Sequence, residues 1–363
     1  MKKLAFSIIT FVLLSANTLS AVKYVDAKDL TLINRADTSL RTFSRLDTTL
    51  YQDLNATAKR HYTCSTGLAI VFRTNSKNIT AKWNVAYEPK SLNTTPIMQS
   101  GLDLYIYNSN SKNWVFAGIG SPRGKNKQYS SPIVENMSGE YHDCLLYLPI
   151  WDKVNDLQIG IDDNAEIIAN ENPFKNRIIV IGSSITHGSS ASRPGLTYPA
   201  RMERETGLEF INLGCSGECK LDEAFARMVV NYDADAYIFD TFSNPTAEQI
   251  HSRMKKFVDI IRDKRPNVPL IFLQTEIRET GNYDLKKREF EYNKRNAAKE
   301  EYSKLKNSGY KNIYFIDPAF NIGDNHENTV DGTHPSDAGF DLITNSLRPK
   351  IMKILKRYKI ESK

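Results

Sequence analysis

The sequence is short of cysteine, of long apolar runs and of charge imbalance, and each shortage excludes something. Four cysteines occur in 363 residues. Neither Cys64 with Cys144 nor Cys215 with Cys219 has the Cys-x-x-Cys spacing with a partner pair, so no zinc ribbon or finger is written here. In an oxidising compartment the same four could form two disulfides, most simply one within each half, and for Cys215 and Cys219 the reduced and bridged forms are equally compatible with the sequence. No run reaches the roughly 20 apolar residues that a bilayer requires, which excludes an integral membrane span. The longest, Leu4 to Leu14, follows Met1-Lys2-Lys3 and precedes the small-residue region Ser15 to Ala21. That order of basic, apolar and small residues reads as a cleaved secretory signal, placing the mature chain in the periplasm or outside the cell. No cysteine near the cleavage region suggests a lipid anchor.

The formal charge is +6, and loss of Lys2 and Lys3 with the signal leaves a small excess. The basic residues Lys350, Lys353, Lys356, Arg357 and Lys359 crowd the last helical pattern, where a solvated face explains them, and no nucleic-acid signature accompanies them. Internal repeats and low-complexity segments are missing too. With 40% apolar and 25% charged residues, the chain is long enough for two globular domains.

The two halves differ in period. Between Gly67 and Tyr87 a first apolar strand, a polar turn at Asn75-Ser76-Lys77 and the alternation Ile79, Ala81, Trp83, Val85, Tyr87 predict a half-buried hairpin. Alternation returns at Leu102, Leu104 and Ile106, around Trp114 and Phe116, and at Leu157, Ile159 and Ile161. Several short strands with polar turns predict a β-sandwich of jelly-roll type. From Asn176 onward, strands expected near 177–181, 210–214, 236–240, 270–274 and 313–317 alternate with helical patterns such as Ile250, Met254, Phe257, Val258 and Ile261. This order predicts a parallel sheet with helices on both faces. The polar stretch between Asp162 and Pro173 is the expected boundary, giving a signal over 1–21, a sandwich over 22–170 and an α/β domain over 171–363.

The chemistry-bearing residues sit where such a sheet gathers its sites, beyond the carboxyl ends of the strands. The run Arg177 to Ile181 stops at Gly182-Ser183-Ser184-Ile185-Thr186-His187-Gly188, a turn that can hold the Ser184 hydroxyl above the sheet edge. Serine needs an imidazole to take its proton and a third group to orient that imidazole. Asp331-Gly332-Thr333-His334 supplies both from one segment, with Asp331 able alternatively to cap the final helix or a turn. An oxyanion needs aimed donors. The backbone N–H of Ser184, that of Gly217 in Gly214-Cys215-Ser216-Gly217, and the side-chain amide of Asn244 after Ala236 to Asp240 are the candidates.

A serine, glycine, asparagine and histidine placed in this order after successive strands resemble the SGNH (GDSL-like) hydrolase superfamily over roughly residues 175–358. Two blocks depart from its usual pattern. Ser183 stands in place of the aspartate of Gly-Asp-Ser, and Phe242-Ser243-Asn244-Pro245 replaces Gly-x-Asn-Asp. Gly101-Leu102-Asp103-Leu104-Tyr105 resembles the Gly-x-Asp-Leu-Tyr signature of a β-rich domain preceding one subgroup. The resemblance implies a flavodoxin-like three-layer αβα hydrolase domain, a Ser184–His334–Asp331 mechanism and no cofactor. It also implies an ester substrate, a small molecule or an O-acetylated glycan. A lipase, a thioesterase or an acyltransferase would use the same groups, and a protein that only binds an acylated glycan is a different class of reading.

Nearby residues have other readings. His187 is expected to follow the nucleophile into its helix and face away from it. Asp324, His326, Asp331 and His334 imitate metal ligands without a paired helix motif to fix them. Arg193-Pro194 and Tyr198-Pro199 could shape an acyl pocket or merely a loop. Gly182 to Gly188 has neither dinucleotide nor Walker spacing, and Thr186 breaks the Gly-x-Ser-x-Gly of α/β-hydrolases. Exposed tryptophans among Trp83, Trp114 and Trp151 could stack on sugars, and Thr275 to Leu285 reads as a polar roof without an amphipathic lid.

Overall fold

The computed structural model describes residues 21–87, 92–318, 320 and 322–361. The secretory signal expected over 1–21 therefore lies, except for Ala21, outside the described residues. Eleven strands make the first half: β1 (Val22–Asp26), β2 (Thr31–Ile33), β3 (Ala69–Thr74), β4 (Ile79–Val85), β5 (Leu102–Asn108), β6 (Asn113–Gly120), β7 (Gly124–Lys125), β8 (Gln128–Val134), β9 (His142–Tyr147), β10 (Val154–Asp162) and β11 (Ile167–Ala169). They form two antiparallel sheets, β1-β10-β4-β8-β7 and β11-β3-β9-β5-β6, with β2 alongside β3. Helices α1 (Ala56–Thr63) and α2 (Pro96–Ser100) lie between strands.

The alternation that predicts the sandwich also sets its core. Ala81, Trp83, Leu157 and Ile159 of one sheet meet Ile70, Phe72, Leu104 and Leu146 of the other. The expected hairpin between Gly67 and Tyr87 does not form, because β3 and β4 belong to opposite sheets. Period-2 alternation tells which face of a strand is buried and not which strand lies beside it, and both strands feed one core from opposite sides. The polar turn is the crossing between sheets. Asp162 holds it, accepting from Ser76 Oγ (3.0 Å), Lys77 N (2.9 Å) and Asn78 Nδ2 (2.9 Å).

The second half is a parallel sheet in the order β13-β12-β14-β15-β16, built from β12 (Lys175–Gly182), β13 (Leu208–Gly214), β14 (Ala236–Asp240), β15 (Leu270–Leu273) and β16 (Ile313–Ile316). Helices α3 (Ser184–His187), α4 (Tyr198–Thr206), α5 (Glu223–Val229), α6 (Ala247–Lys264), α7 (Leu285–Asn307) and α8 (Asp337–Leu355) connect and cover it. Ile179 and Ile181 point to one face with Phe257 and Ala297, while Ile178 and Val180 point to the other with Met202 and Ile343. Continuous apolar strands are what a sheet covered on both faces requires. Helix α6 begins with a capping box between Thr246 and Gln249 and buries Ile250, Met254, Phe257, Val258 and Ile261, as the periodicity predicts. The architecture is thus an antiparallel β-sandwich followed by a parallel, helix-flanked domain.

Three features tie the halves together. The outer face of the β3, β5 and β9 sheet is also buried, with Val71, Tyr105, Leu145 and Tyr147 packed against Phe174 and Ala200. In the Gly-x-Asp-Leu-Tyr stretch, Asp103 is fully buried and receives Arg193 Nη1 on both oxygens (2.8 and 2.9 Å) and the Gly195 amide (2.8 Å). Burial pushes its carboxyl above the usual range, with Arg193 opposing. The arm between β2 and β3 crosses over as well. Leu46, Tyr51, Ala58 and Tyr62 join the core beneath β12 and β13, and the Arg45 guanidinium, fully buried, donates to the carbonyls of His61 (2.7 Å), Asn212 (3.0 Å) and Gly214 (2.8 Å).

All four cysteines are buried and free. Burial pushes the Cys64 and Cys215 thiols up to about 12 and raises those of Cys144 and Cys219 as well, which removes the reactive thiolate. A chromogenic disulfide reagent at pH 8 should therefore leave the folded protein unmodified over minutes and titrate four thiols once guanidinium unfolds it. Two thiols under denaturing conditions would instead reveal a bridge.

Candidate functional site

In the parallel register, Gly182 of β12 lies level with Gly214 of β13 and Asp240 of β14. The three following loops leave the sheet at one height. The glycines permit this: a Cβ on Gly182 would sit 2.4 Å from Thr186 Oγ1 and 2.7 Å from Asp240 Cβ, and one on Gly214 would sit 2.2 Å from the His187 nitrogen. Ser183 caps the short helix α3, its hydroxyl accepting from the Ile185 amide and donating to Asp240 Oδ2 (2.8 Å). Thr186 donates to the same oxygen (2.8 Å) and takes the Tyr198 hydroxyl (2.8 Å). A buried carboxylate on the neighbouring strand thus holds the turn that presents Ser184. Burial, and next the charge of Glu276, push the Asp240 carboxyl up to about 7 against the two hydroxyl bonds.

The segment Thr329 to Pro335 is pinched by a bridge between those two residues and turns at Gly332, whose φ of 77° favours glycine. Within it, Asp331 Oδ1 accepts the amides of Thr333 (3.0 Å) and His334 (2.8 Å), and Oδ2 accepts from His334 Nδ1 (2.7 Å). Because a carboxylate only accepts, Nδ1 carries the ring proton. That leaves Nε2 to accept from the Ser184 hydroxyl at 2.8 Å. Partial burial opposes charge on Asp331, but the His334 amide and ring and the Asn93 side chain together hold its carboxyl down to about 2. It is ionised at every pH at which the imidazole could act. The three residues predicted for a nucleophile, its base and the orienting acid are brought into one hydrogen-bonded chain.

The candidate oxyanion donors lie on the loops beside this chain. The Ser184 amide, at the first position of α3, has no helical carbonyl behind it. Gly217 has φ 76° and a Cβ there would meet nothing within 4 Å, so glycine serves the backbone conformation and leaves that side open. Its neighbour Ser216 is held by His187, whose Nδ1 accepts the Ser216 amide (3.4 Å). His187 Nε2 faces Thr66 Oγ1 (3.0 Å), which itself donates to the Ile150 carbonyl (2.6 Å). The ring lies against Trp151, centroids 4.2 Å apart and tilted by 33°, and burial lowers its pKa far below the ordinary value, so it is neutral with the proton on Nε2. It faces away from Ser184 as expected, but its use as a brace for the Gly217 loop has no signal in the sequence. The Asn244 loop is braced in another way. Lys294 Nζ and Arg278 Nη2 both donate to the Ser243 carbonyl (2.9 Å each), and Glu291 pairs with both cations (2.7 and 3.4 Å). Asn244 Oδ1 is buried without a hydrogen-bond partner among the described residues.

Other candidates fall outside the chain. His326 turns to Glu279 (2.8 Å), so it shares no ligand position with His334. Arg193 is spent on Asp103 and on the Tyr105 hydroxyl (2.7 Å), and Tyr198 is fully buried. Trp83 donates to the Ser100 carbonyl (2.8 Å) inside the sandwich, and Trp114 packs on Phe174 and Tyr107. Asn93, which donates to Asp331 Oδ2 at 2.7 Å, is the residue at this site that sequence reasoning missed.

The sequence profile of the GDSL-like lipase/acylhydrolase family matches residues 175–352, and that of the N-terminal module of SGNH-hydrolase-type esterases matches residues 22–167. Among solved structures, a Bacteroides ovatus protein named as a GDSL-like lipase is 45% identical, with a TM-score of 0.89 over 93% of this chain and 98% of its own. A salicylyl-acyltransferase from a tetracycline biosynthetic pathway shares the fold at 17% identity and a TM-score of 0.69, over 92% and 97% of the two chains. A family-two carbohydrate esterase from Cellvibrio japonicus does so at 12% identity and 0.59, over 93% and 99%. No curated protein matches.

The position of Asp240 yields a pH effect on stability. Its folded-state pKa is raised, so the folded protein favours the neutral carboxyl; that contribution is complete below about pH 4 and is lost as pH rises through about 7. Asp240→Asn keeps an acceptor for both hydroxyls and removes the titration. Melting temperatures measured from pH 4 to pH 8 should fall less with rising pH in the variant than in the wild type, and an unchanged slope would assign it to other groups.

Proposed function

This chain belongs to the GDSL-like lipase/acylhydrolase family, and from that premise we propose that it is a serine esterase acting on short acyl esters, O-acetyl groups of carbohydrate in particular. The observation that carries the proposal is the continuous chain from Ser184 Oγ through His334 to Asp331. Ser184 Oγ attacks the ester carbonyl as His334 Nε2 takes its proton. Asp331, held anionic, keeps the ring in the reactive tautomer and stabilises the imidazolium. The Ser184 and Gly217 amides and the Asn244 side chain receive the oxyanion, each donor contributing about 3 kcal/mol to the barrier it lowers. The imidazolium then protonates the departing alcohol oxygen, and a water activated by His334 releases the acid and restores Ser184.

The preference for a sugar ester draws support from the fold shared with carbohydrate esterases. Acyl transfer would use the same acyl-enzyme with an alcohol in place of water. The reading includes a cleaved signal over 1–21, export to the periplasm or beyond, and a division into domains at 22–170 and 171–363. Among the described residues, no helix is long and apolar enough to cross a membrane. The mechanism calls for no cofactor.

The test is hydrolysis of p-nitrophenyl esters with acyl chains of two to eight carbons by the protein from residue 22 onward. Acetate should be the fastest, and Ser184→Ala should lower kcat by at least about a thousandfold. Equal rates for wild type and variant on every ester would rule out the acyl-enzyme, and a glycan-binding role for the sandwich would take its place.

A further inference from the structure

The loop that delivers Asp331 and His334 is contacted by a residue of the β-sandwich. Asn93 lies between β4 and α2, and its Nδ2 is 2.7 Å from Asp331 Oδ2 and 3.3 Å from His334 Nδ1. The Nδ1 atom already carries a proton directed at Asp331, so the longer approach joins two donors and is not a bond. The shorter one is. With the side-chain amide turned over, its oxygen would face a carboxylate oxygen at the same distance, so the nitrogen belongs there. Asp331 then has each oxygen occupied: Oδ1 by the Thr333 and His334 amides, and Oδ2 by the ring and Asn93.

We infer that Asn93 is a positioning residue of this site: by donating to Asp331 Oδ2 from the sandwich side, it fixes the carboxylate plane, and through it the imidazole, toward Ser184. The inference rests on the serine-esterase reading. Asn93 is itself firmly placed. Two residues on, Thr95 caps α2 by accepting from the Met98 amide (3.1 Å) and donates to the Ser192 carbonyl (2.5 Å). The Ser192 amide in turn donates to Asp337 Oδ1 (2.8 Å), in the first residue of α8, three positions after His334. Asp103, at the end of the same stretch, takes Arg193 and Gly195. The sandwich thus grips the segment after His334 through Ser192 and the segment before it through Asn93. Without Asn93, Asp331 keeps its local amide bonds but can swing about them, and a displacement of about 1 Å in a reacting group costs up to about a hundredfold in rate.

The experiment compares Asn93→Ala with the isosteric Asn93→Asp in the full mature chain on p-nitrophenyl acetate, beside wild type and Ser184→Ala. Active enzyme is counted by titration with a fluorophosphonate, so that any unfolded fraction drops out of kcat. Asn93→Ala should lower kcat about tenfold with KM within about twofold, as expected when a supporting hydrogen bond is removed. Asn93→Asp sets a carboxylate against Asp331 and should fall further, to about a hundredth of wild type. Fluorophosphonate labelling of Ser184 should slow in the same order. A packing role gives the opposite order, because the isosteric side chain would be the better tolerated. The inference is overturned if Asn93→Asp matches or exceeds Asn93→Ala, or if both stay within about twofold of wild type. If Ser184→Ala keeps the wild-type rate, the esterase reading falls and the inference falls with it. An inert Ser184→Ala beside fully active Asn93 variants removes the inference alone.

Discussion

The site depends on a levelled sheet edge. In parallel pairing, Gly182, Gly214 and Asp240 share one height, and the chain after Gly182 turns into α3 almost at once, at Ser184. Helix α3 can sit close above this edge only because two of the three positions lack a side chain and the third offers a carboxylate to Ser183 and Thr186. The usual first block of the family supplies an acid immediately before the nucleophile. Here that position is Ser183, and the carboxylate that engages it comes from Asp240 on the neighbouring strand. In the substituted block, the carboxyl group that contacts the turn is thus supplied by the neighbouring strand.

Each loop at that edge is secured by groups with no motif of their own. Arg45 spends its charge on backbone carbonyls at the end of β13, Lys294 and Arg278 spend theirs on the carbonyl before Asn244, and a neutral His187 receives the Ser216 amide. Burying such cations is costly, and the loop carbonyls offset part of that cost, while the Nε atoms of Arg45 and Arg278 stay buried without a partner among the described residues. Rigidity in the loops that carry the proposed oxyanion donors is thus derived from polar groups buried in the folded core.

What was legible in the sequence follows from how local the signal is. The strands of the parallel sheet show because β-branched runs such as Ile178 to Ile181 are continuous, and the sandwich shows because its strands alternate. Ser184 and the Asp331–His334 pair show because each lies within one turn. Strand partnership did not show: the residues that suggest a hairpin at 67–87 describe two faces of one core. Asn93, Arg45 and Thr66 were invisible for a related reason. Their partners at 331, 214 and 187 are distant in sequence, and an asparagine, an arginine or a threonine in a loop carries no spacing that names its partner. The cysteines show the limit from the other side, since four thiols permit a pairing that the folded chain does not use.

The cross-connections also bear on how the chain can be made. Arg45 and Gly214 are 169 residues apart, and Asn93 and Asp331 are 238 apart. A ribosome therefore releases the arm carrying Arg45, Leu46, Tyr51 and Tyr62 well before β13 exists to cover it, and completes the strands of the sandwich while one of its faces still lacks Phe174 and Ala200. The first half alone lacks part of its native packing, because its arm and one sandwich face are covered by residues between 174 and 214. Contacts this distant in sequence slow folding and leave that apolar surface uncovered until the strands and helix that pack on it have been made.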